Sequence, residues 1–244
     1  MTARAALVTG ASRGIGAQIC ERLAGEGWDL VVTARNQEQL EQFAGELAER
    51  SGRTIVPMPA DMAELSAAQT VADAFEGVHD RLDALVLNAG MGAIGSFSDF
   101  PLRRLEKLFA VNVRATYALI QHLLPLLRKT GAMSPHGARV IALSSMTGLA
   151  AEPLNSAYGA TKAALTSMCE TLTVEEYEHG VNATAVCPGY VATDMTSGLP
   201  GVDAASMITP GDVAEMVVSL TRLTKNVTIP HLPMTRPGPH LWRA

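Results

Sequence analysis

The 244-residue chain is long enough to bury a core and fits one large α/β domain or two small ones. Its composition, 48% hydrophobic and 18% charged, is that of a globular protein and excludes a disordered chain. The net charge of −5 argues against a nucleic-acid-binding surface, and the absence of any run of about 18 apolar residues argues against a membrane span.

The cysteines and histidines indicate neither a disulfide framework nor a metal site. Cys20, Cys169 and Cys187 are widely spaced and odd in number, which favours free thiols in a reducing compartment. His231 and His240 are too isolated to suggest metal ligands. Because the N-terminal segment also shows no apolar signal region, we expect a cytoplasmic protein without a metal.

A strand, a glycine-rich turn and a helix are predicted first along the chain. Ala5 to Thr9 is an apolar run, and Ile15, Ile19 and Leu23 recur at helical spacing. Glycines let the backbone approach a pyrophosphate, and a helix N-terminus offers free N–H groups to it. The spacing is G-x-x-x-G-x-G rather than the commoner G-x-G-x-x-G, yet its strand–helix setting favours a phosphate site over a simple connection. The candidate cofactor residues here are Gly10, Ser12, Arg13, Gly14, Ile15 and Gly16.

The second predicted strand, Leu30 to Ala34, indicates which cofactor is bound. It ends at Arg35, roughly 20 residues beyond the glycine turn, where an acid would suit the ribose of NAD and an arginine the 2′-phosphate of NADP. Asp29 lies at the wrong end of the strand to be that acid, and Arg13 offers a second positive charge. The alternative is that both arginines are ordinary surface residues. We predict NADP(H), with NAD(H) less favoured.

Two further strands carry cleft candidates at their ends. Thr54 to Val56 begins a strand that leads to Asp61 and Met62, where the Asp61 carboxylate either accepts from an adenine amino group or caps a turn. Leu85 to Leu87 is a continuous apolar strand of the kind buried on both faces. It is closed by small residues that a cofactor can approach, Asn88, Ala89 and Gly90.

Helix starts are marked by polar residues at capping spacing. Asn36 with Gln39 predicts one helix, Ser66 with Gln69 a second, and the stretch Thr209 to Asp212 a third. A long helical segment runs from Pro101 to Lys129, with apolar residues on more than one face, which suggests contact with another subunit. Within that apolar pattern lies Asn112, whose buried amide needs partners. Thr130 to Ala138 reads as a surface loop.

The chemistry is predicted after the strand Arg139 to Leu143. Tyr158 and Lys162 are four residues apart, so on a helix the phenol and the ammonium share a face. A cation beside a phenol favours the phenolate, so we expect a lowered pKa of Tyr158 and proton transfer near neutrality. Ser145, directly after the strand, offers a hydroxyl to a substrate carbonyl.

Strands alternate with helices along the whole chain, and no linker or repeat interrupts them. This predicts a Rossmann-type doubly wound parallel β-sheet of about seven strands in a three-layer αβα arrangement, as a single domain over residues 1–244. Ligands of such sheets bind beyond the carboxyl ends of the strands, so the residues after each strand should share one crevice. After the strand Asn182 to Val186 these are Pro188, Gly189, Val191 and Thr193.

Taken together, these residues resemble the short-chain dehydrogenase/reductase (SDR) family across residues 5–195. The matching motifs are TGASRGIG, Asp61, Asn88-Ala89-Gly90, Asn112, Ser145, Tyr158-x-x-x-Lys162 and Pro188-Gly189 with Thr193. The resemblance implies that Tyr158 is the general acid in carbonyl reduction and that Ser145 orients the carbonyl. It implies further that Lys162 lowers the pKa of the phenol and holds the nicotinamide ribose, while Asn112 holds a water linking Lys162 to solvent.

The resemblance also implies cofactor contacts and a partner. Thr193 would bind the nicotinamide carboxamide and Asn88 would lie beside the adenosine ribose. The segment Met195 to Thr209 would line the substrate side as part of a lid near residues 190–212. The C-terminal segment 227–244 lacks the Gly-Gly ending of many members. We expect a homodimer or a homotetramer that acts on a small carbonyl or alcohol substrate, with neither nucleic acid nor membrane as a partner.

Two alternatives stay open at this stage. The first is 3-oxoacyl-carrier-protein reduction, which needs a basic docking patch; Arg103, Arg104 and Lys107 offer one, or simply a solvated helix face. The second is a non-catalytic NADP-binding regulator on the same fold. The complete set of Asn112, Ser145, Tyr158 and Lys162 argues against the regulator, because a binding module does not need a proton-transfer arrangement.

Overall fold

The apolar runs of the chain pair as parallel strands of one sheet. A computed structural model describes residues 3–197 and 204–238, and the strands within them are β1 (Ala5–Thr9), β2 (Asp29–Thr33), β3 (Ile55–Pro57), β4 (Ala84–Leu87), β5 (Ala138–Leu143), β6 (Val181–Pro188) and β7 (His231–Met234). These seven described strands lie in the order β3-β2-β1-β4-β5-β6-β7. The predicted Rossmann-type doubly wound sheet is confirmed.

Helices cover both faces of this sheet. They are α1 (Gly14–Gly25), α2 (Gln37–Ser51), α3 (Ala67–Glu76), α4 (Leu102–Phe109), α5 (Ala115–Met133), α6 (Ser156–Glu176) and α7 (Pro210–Arg222). Short 3₁₀ turns occupy Met146–Gly148, Tyr177–His179 and Ala204–Ser206. Helices α3, α5 and α6 pack on one face, and α1, α2 and α7 on the other. The strands β1, β4, β5 and β6 therefore bury both faces, which explains the unbroken apolar sequence of β4, whereas the edge strand β7 stays partly exposed.

The order of the strands changes direction at β1, and this switch point determines where the cleft lies. Strand β1 pairs with β2 on one side and with β4 on the other, so the connections leave in opposite directions. The crevice beyond the carboxyl ends at such a switch point is where ligands bind in doubly wound sheets. The loops after β1, β4, β5 and β6 meet there.

The long helical segment is confirmed, but its end and its middle differ from the prediction. Five residues, Ala110–Arg114, form a π-helical turn between α4 and α5. The predicted loop over residues 130–138 is wrong at its ends, because α5 continues to Met133 and β5 begins at Ala138. The physical reason is burial: the Thr130 hydroxyl accepts a 2.9 Å hydrogen bond from the Leu82 amide, so this turn of helix is held by the interior.

Two of the three predicted helix caps are confirmed. The Asn36 carboxamide accepts from the Gln39 amide at 3.1 Å, and the Thr209–Asp212 capping box is complete. The prediction at Ser66 is wrong: its backbone is already helical and its side chain makes no capping bond. Gln69 instead donates to Asp73 one turn further along the same helix.

Several other expectations concern the described residues as a whole. The three cysteines are buried and unpaired, as expected of free thiols. Within residues 3–197 and 204–238, no helix combines the length and apolar character needed to cross a membrane, and no cluster of metal-ligating side chains is found. Part of the predicted lid (198–203), and the C-terminal end with His240, lie outside the described residues.

Candidate active site

A cleft of about 1230 Å³ opens at the carboxyl edge of the sheet. The loops after β1, β4, β5 and β6 line it together, as the topology predicts. Gly16 and Asn112 are the predicted site residues that do not line it. The predicted residues that do are Gly10, Ser12, Arg13, Gly14, Ile15, Arg35, Asp61, Met62, Asn88, Ala89, Gly90, Ser145, Tyr158, Lys162, Pro188, Gly189, Val191 and Thr193.

The glycine turn is built from close contacts that side chains would block. Gly10 and Gly14 have φ angles of +65° and +56°, a backbone region that favours glycine. A Cβ at Gly16 would lie 2.2 Å from the Gly10 carbonyl oxygen, so this glycine packs α1 against the turn instead of lining the cleft. The Asn88 carboxamide donates to the Gly10 carbonyl at 2.9 Å and thereby joins the ends of β1 and β4.

The N-terminus of α1 is open to an anion. Arg13 precedes the helix in an extended conformation, and its side chain makes no capping hydrogen bond to the first turn. That turn contains no acidic residue. Free N–H groups, a positive helix end and a glycine cradle together fit the pyrophosphate of a dinucleotide.

The two arginines predicted to bind a 2′-phosphate have different surroundings. Arg35 is exposed at the cleft and has no hydrogen-bond or ion-pair partner among the described residues. Arg13 forms a 2.6 Å ion pair with Asp194 in the loop after β6, although both side chains are largely exposed. Asp29 pairs with Arg53 at 2.7 Å at the far end of β2, as its position predicted. Of the two arginines, Arg35 is thus the one without a hydrogen-bond or ion-pair partner among the described residues.

Asp61 makes the turn-capping contact that was one of its two predicted roles. Its carboxylate accepts from the Ala63 amide at 3.0 Å, which is a turn-capping contact. The residue also lines the cleft beside Met62. A carboxylate has about four acceptor sites, so the cap leaves capacity for another donor.

Lys162 is anchored by the backbone of the sheet. Its ammonium is buried and donates a 2.6 Å hydrogen bond to the Leu143 carbonyl at the end of β5. The nitrogen lies 5.5 Å from the centroid of the Tyr158 ring. Burial lowers the pKa of Lys162 to about 8, since a low-dielectric site disfavours the charged form.

The expected lowering of the phenol pKa is wrong for this structure. Burial raises the pKa of Tyr158 to about 12, and a hydrogen-bonding contact with Ser145 acts in the opposite direction. The Lys162 ammonium donates to the Leu143 carbonyl rather than to the phenol oxygen, so it does not offset the effect of burial on Tyr158. Tyr158 is therefore a protonated donor throughout the ordinary pH range.

Both acceptor positions of the Ser145 hydroxyl are occupied. Its Oγ accepts from the Thr147 amide at 3.2 Å and from the Thr147 hydroxyl at 3.0 Å. A serine hydroxyl carries one donor and two acceptor positions. Because both acceptor positions are used, the remaining capacity is the O–H donor, which contacts the Tyr158 phenol and is the group that can serve a carbonyl oxygen bound between the two side chains.

Asn112 supports the cleft wall from behind. It is buried in the π-helical turn, where Oδ1 accepts from the Met91 amide at 2.9 Å. Its Nδ2 donates to the Met91 carbonyl and to the Thr161 hydroxyl, each at 3.0 Å. A Cβ on Gly90 would lie 3.4 Å from Asn112 Oδ1 and 3.5 Å from Lys162 Nζ, so these two side chains flank the Asn88-Ala89-Gly90 loop. In this arrangement the amide is a clamp on that loop.

This geometry can be compared with known proteins. The family model described as short chain dehydrogenase matches residues 4–201. The chain belongs to this family. The match includes the glycine turn, the Tyr158–Lys162 pair and Pro188-Gly189.

Solved and curated SDR proteins resemble the chain over nearly its full length. An alcohol dehydrogenase from the archaeon Thermococcus sibiricus, complexed with 5-hydroxy-NADP, has a TM-score of 0.88 at 25% identity and covers 98% of this chain and 100% of its own. The Pseudomonas aeruginosa RhlG/NADP active-site complex has a TM-score of 0.85 at 30% identity over 96% of each chain. The ketoacyl reductase HetN of Nostoc sp. is 30% identical over 239 residues, which is 96% of this chain and 81% of the relative.

The SDR cleft also contains residues that sequence reasoning missed. Thr147, Glu152 and Asn155 line it from the connection between Ser145 and Tyr158. Their position between two candidate catalytic residues was the available signal. Other missed lining residues include Met91 and Gly92 in the loop after β4. Tyr190, Asp194 and Met195, from the predicted lid segment near residues 190–212, also line the cleft.

Proposed function

We propose that this SDR protein is an NADP(H)-dependent oxidoreductase of the carbonyl reductase or alcohol dehydrogenase type. It would transfer hydride between nicotinamide and a small carbonyl or alcohol substrate. One observation carries the proposal: the Ser145 hydroxyl, the Tyr158 phenol and the Lys162 ammonium line the same cleft as a glycine turn fitted to a pyrophosphate.

The chain's own residues supply the proton chemistry in this proposal. When bound, the cofactor supplies the hydride. Ser145 donates its O–H to the substrate oxygen, and Tyr158 gives that oxygen a proton in reduction or removes one in oxidation. Lys162, with a pKa lowered by burial to about 8, is a second proton-exchanging group behind the phenol. Asn112 keeps the intervening loop in place through Met91.

Three observations support NADP(H) over NAD(H). Arg35 lies at the cleft after β2 with no partner among residues 3–197 and 204–238, at a position where an acidic residue would favour NAD. Arg13 adds a second cation beside the glycine turn, where a phosphate would compete with Asp194 for its guanidinium. Both of the solved structures described above are complexes with NADP or a derivative of it.

A second candidate is 3-oxoacyl-carrier-protein reduction by the same chemistry. Arg104 and Lys107 line the cleft from α4, both are exposed, and Arg103 lies beside them. Such a row of cations suits an acidic carrier protein. Binding of an acyl carrier at this row, lost on reversing the charges of Arg104 and Lys107, would favour this candidate.

We also propose a homodimer or homotetramer, and a cytoplasmic single-domain protein. Large apolar side chains remain exposed on α5 and at the end of α6: Tyr117 is 58%, Val174 73% and Tyr177 65% exposed. Apolar groups exposed in this way favour contact with a second copy. Light scattering of the purified chain tests the assembly. The buried, unpaired thiols support a reducing compartment.

The deciding experiment is Tyr158→Phe with Tyr177→Phe as a matched control. Fluorescence titration measures NADPH binding, and absorbance follows NADPH oxidation with a panel of ketones, aldehydes and diketones. We expect Tyr158→Phe to keep NADPH binding while turnover falls at least about 100-fold, since a general acid contributes on this order. The exposed Tyr177 should tolerate the same change. If the wild type binds NADPH tightly but turns over no panel member, the regulator hypothesis replaces the enzyme.

A further inference from the structure

A carboxylate held by two neutral donors lines the cleft outside the candidate catalytic set. The Tyr190 hydroxyl donates to Glu152 Oε1 at 2.8 Å. The Asn155 carboxamide donates to Glu152 Oε2 at 2.9 Å. All three side chains line the cleft and are partly buried. Glu152 and Asn155 lie between Ser145 and Tyr158 in the chain, and Tyr190 directly follows Pro188-Gly189.

The negative charge of Glu152 has no ionic partner in the part of the chain that the structure describes. Arg236 lies over the Tyr190 ring, 5.3 Å from its centroid, and donates to the Ser206 hydroxyl. A carboxylate has about four acceptor sites, of which Tyr190 and Asn155 use two. Glu152 thus retains charge and acceptor capacity for a further donor.

The donors are fixed in their roles. Burial and the hydrogen bond to Glu152 raise the pKa of Tyr190 to about 12, so its hydroxyl stays protonated and faces the carboxylate as a donor. Asn155 can bind a carboxylate only through its NH₂ group, because its carbonyl oxygen is an acceptor. Tyr190 and Asn155 therefore leave the negative charge of Glu152 in place, and their hydrogen bonds fix the position of its carboxylate.

The loop carrying Glu152 is held in a costly backbone conformation. Leu154 has a φ of +66°, a region that non-glycine residues adopt only when their surroundings impose it. Its carbonyl accepts a 2.9 Å hydrogen bond from the Gly95 amide, which joins this loop to the one after β4. Helix α6 then starts at Ser156. The carboxylate is therefore preorganised between two anchored points.

We propose that Glu152 determines the substrate class of the cleft: it selects carbonyl compounds that carry a hydroxyl or ammonium group near the reacting carbon and rejects those that carry a carboxylate there. The inference rests on the proposed reductase function. A hydroxyl or ammonium group supplies the missing donor to Glu152, whereas a carboxylate brings a like charge beside it. The cations Arg104 and Lys107 on α4 are exposed, so water and salt screen them more strongly than Glu152.

The test uses three ketones that differ only in one substituent of similar size. They are 2-pentanone, 4-hydroxy-2-butanone and acetoacetate, which carry an ethyl, a hydroxymethyl and a carboxylate group. For the wild type we expect kcat/KM to be highest for the hydroxyketone and lowest for acetoacetate. In Glu152→Gln the advantage of the hydroxyketone over 2-pentanone should fall, and acetoacetate should gain roughly tenfold relative to 2-pentanone.

The matched control is Glu106→Gln, which removes the same charge from an exposed position on α4 that does not line the cleft. It should leave all three ratios at their wild-type values. If Glu152→Gln also leaves them unchanged, or if wild-type enzyme prefers acetoacetate, the proposal is overturned.

A binding measurement separates this proposal from the catalytic one. Saturation-transfer NMR on Tyr158→Phe with NADP compares the three ketones without turnover, with and without the added Glu152→Gln change. Stronger hydroxyketone binding that depends on Glu152 supports the proposal even where no turnover is found. Equal binding of all three, or no binding at all, overturns it, while the Tyr158→Phe comparison above decides the reductase function independently.

Discussion

Lys162 donates its ammonium proton to the carbonyl oxygen of Leu143, 2.6 Å away at the last residue of β5. The Ser144 hydroxyl returns a bond in the opposite direction, to the Lys162 carbonyl at 2.9 Å. Two hydrogen bonds therefore fasten one turn of α6 to the strand end that carries Ser145. Through this joint Tyr158, the candidate proton donor, and Ser145, the residue proposed to bind the substrate oxygen, keep a fixed separation.

The buried ammonium predicts a pH-dependent stability difference. Burial lowers the pKa of Lys162 from 10.5 to about 8, so between these values the unfolded chain binds more protons than the folded one and stability rises with pH. Lys162→Met removes this dependence. The free energy of unfolding of Lys162→Met, minus that of the wild type, should therefore be highest at pH 7. It should fall by about 3 kcal/mol between pH 7 and pH 10.5, because the wild type gains stability over this range.

Urea unfolding of both proteins at a series of pH values measures this difference. The exposed Lys107→Met serves as the control and should give a curve parallel to the wild type. Parallel curves for Lys162→Met as well would contradict a lowered pKa at Lys162.

Cofactor preference should depend on Arg35. Because this guanidinium lies at the cleft and has no partner in the described part of the chain, Arg35→Ala should weaken NADPH binding by roughly 10- to 50-fold and leave NADH binding nearly unchanged. Asp194→Asn releases Arg13 from its ion pair and should tighten NADPH binding several-fold. Fluorescence titration with both nucleotides measures these effects. Arg103→Ala, outside the cleft, is the control, and an equal loss for NADH would refute the assignment.

The hydrogen bonds of Asn112 to Met91 predict that Asn112→Ala destabilises the fold more than Thr161→Val does. Asn112→Ala leaves the buried amide and carbonyl contacts of Met91 unmade and should lower the free energy of unfolding by about 2–3 kcal/mol. Thr161→Val removes one of the Asn112 bonds and should cost about 1 kcal/mol. Denaturant midpoints compare the two variants. A loss at Asn112 no larger than that at Thr161 would show that Met91 does not depend on the clamp.

Replacing a helical glycine by alanine should have opposite effects on stability at Gly16 in α1 and at Gly45 in α2. A Cβ at Gly16 meets backbone at 2.2 Å, so Gly16→Ala should cost about 3 kcal/mol or more and weaken NADPH binding. Gly45 in α2 has open space around its Cβ, so Gly45→Ala should stabilise by about 0.5–1 kcal/mol. Thermal unfolding of the pair measures the contrast. A stable Gly16→Ala variant with normal NADPH binding would disprove the tight packing of α1 on the turn.

Local patterns in the sequence determined the layered fold and most of the cleft. Unbroken apolar runs such as Leu85 to Leu87 predicted strands buried on both faces, and the glycine turn before Ile15 predicted a phosphate site. Both depend on residues close together in the chain, where spacing alone fixes which side chains share a face. The rule that ligands bind at strand ends then placed Ser145 and Tyr158 in one crevice.

Only the tertiary structure decided how charges and amides are paired. Arg13 and Asp194 are 181 residues apart in the chain, and Glu152 meets Tyr190 from a different loop, so no local pattern indicates either contact. The pKa of Tyr158 is likewise set by burial, which spacing does not reveal. The sequence thus specified which residues reach the cleft, whereas long-range packing and the desolvation it causes set their charge states and partners.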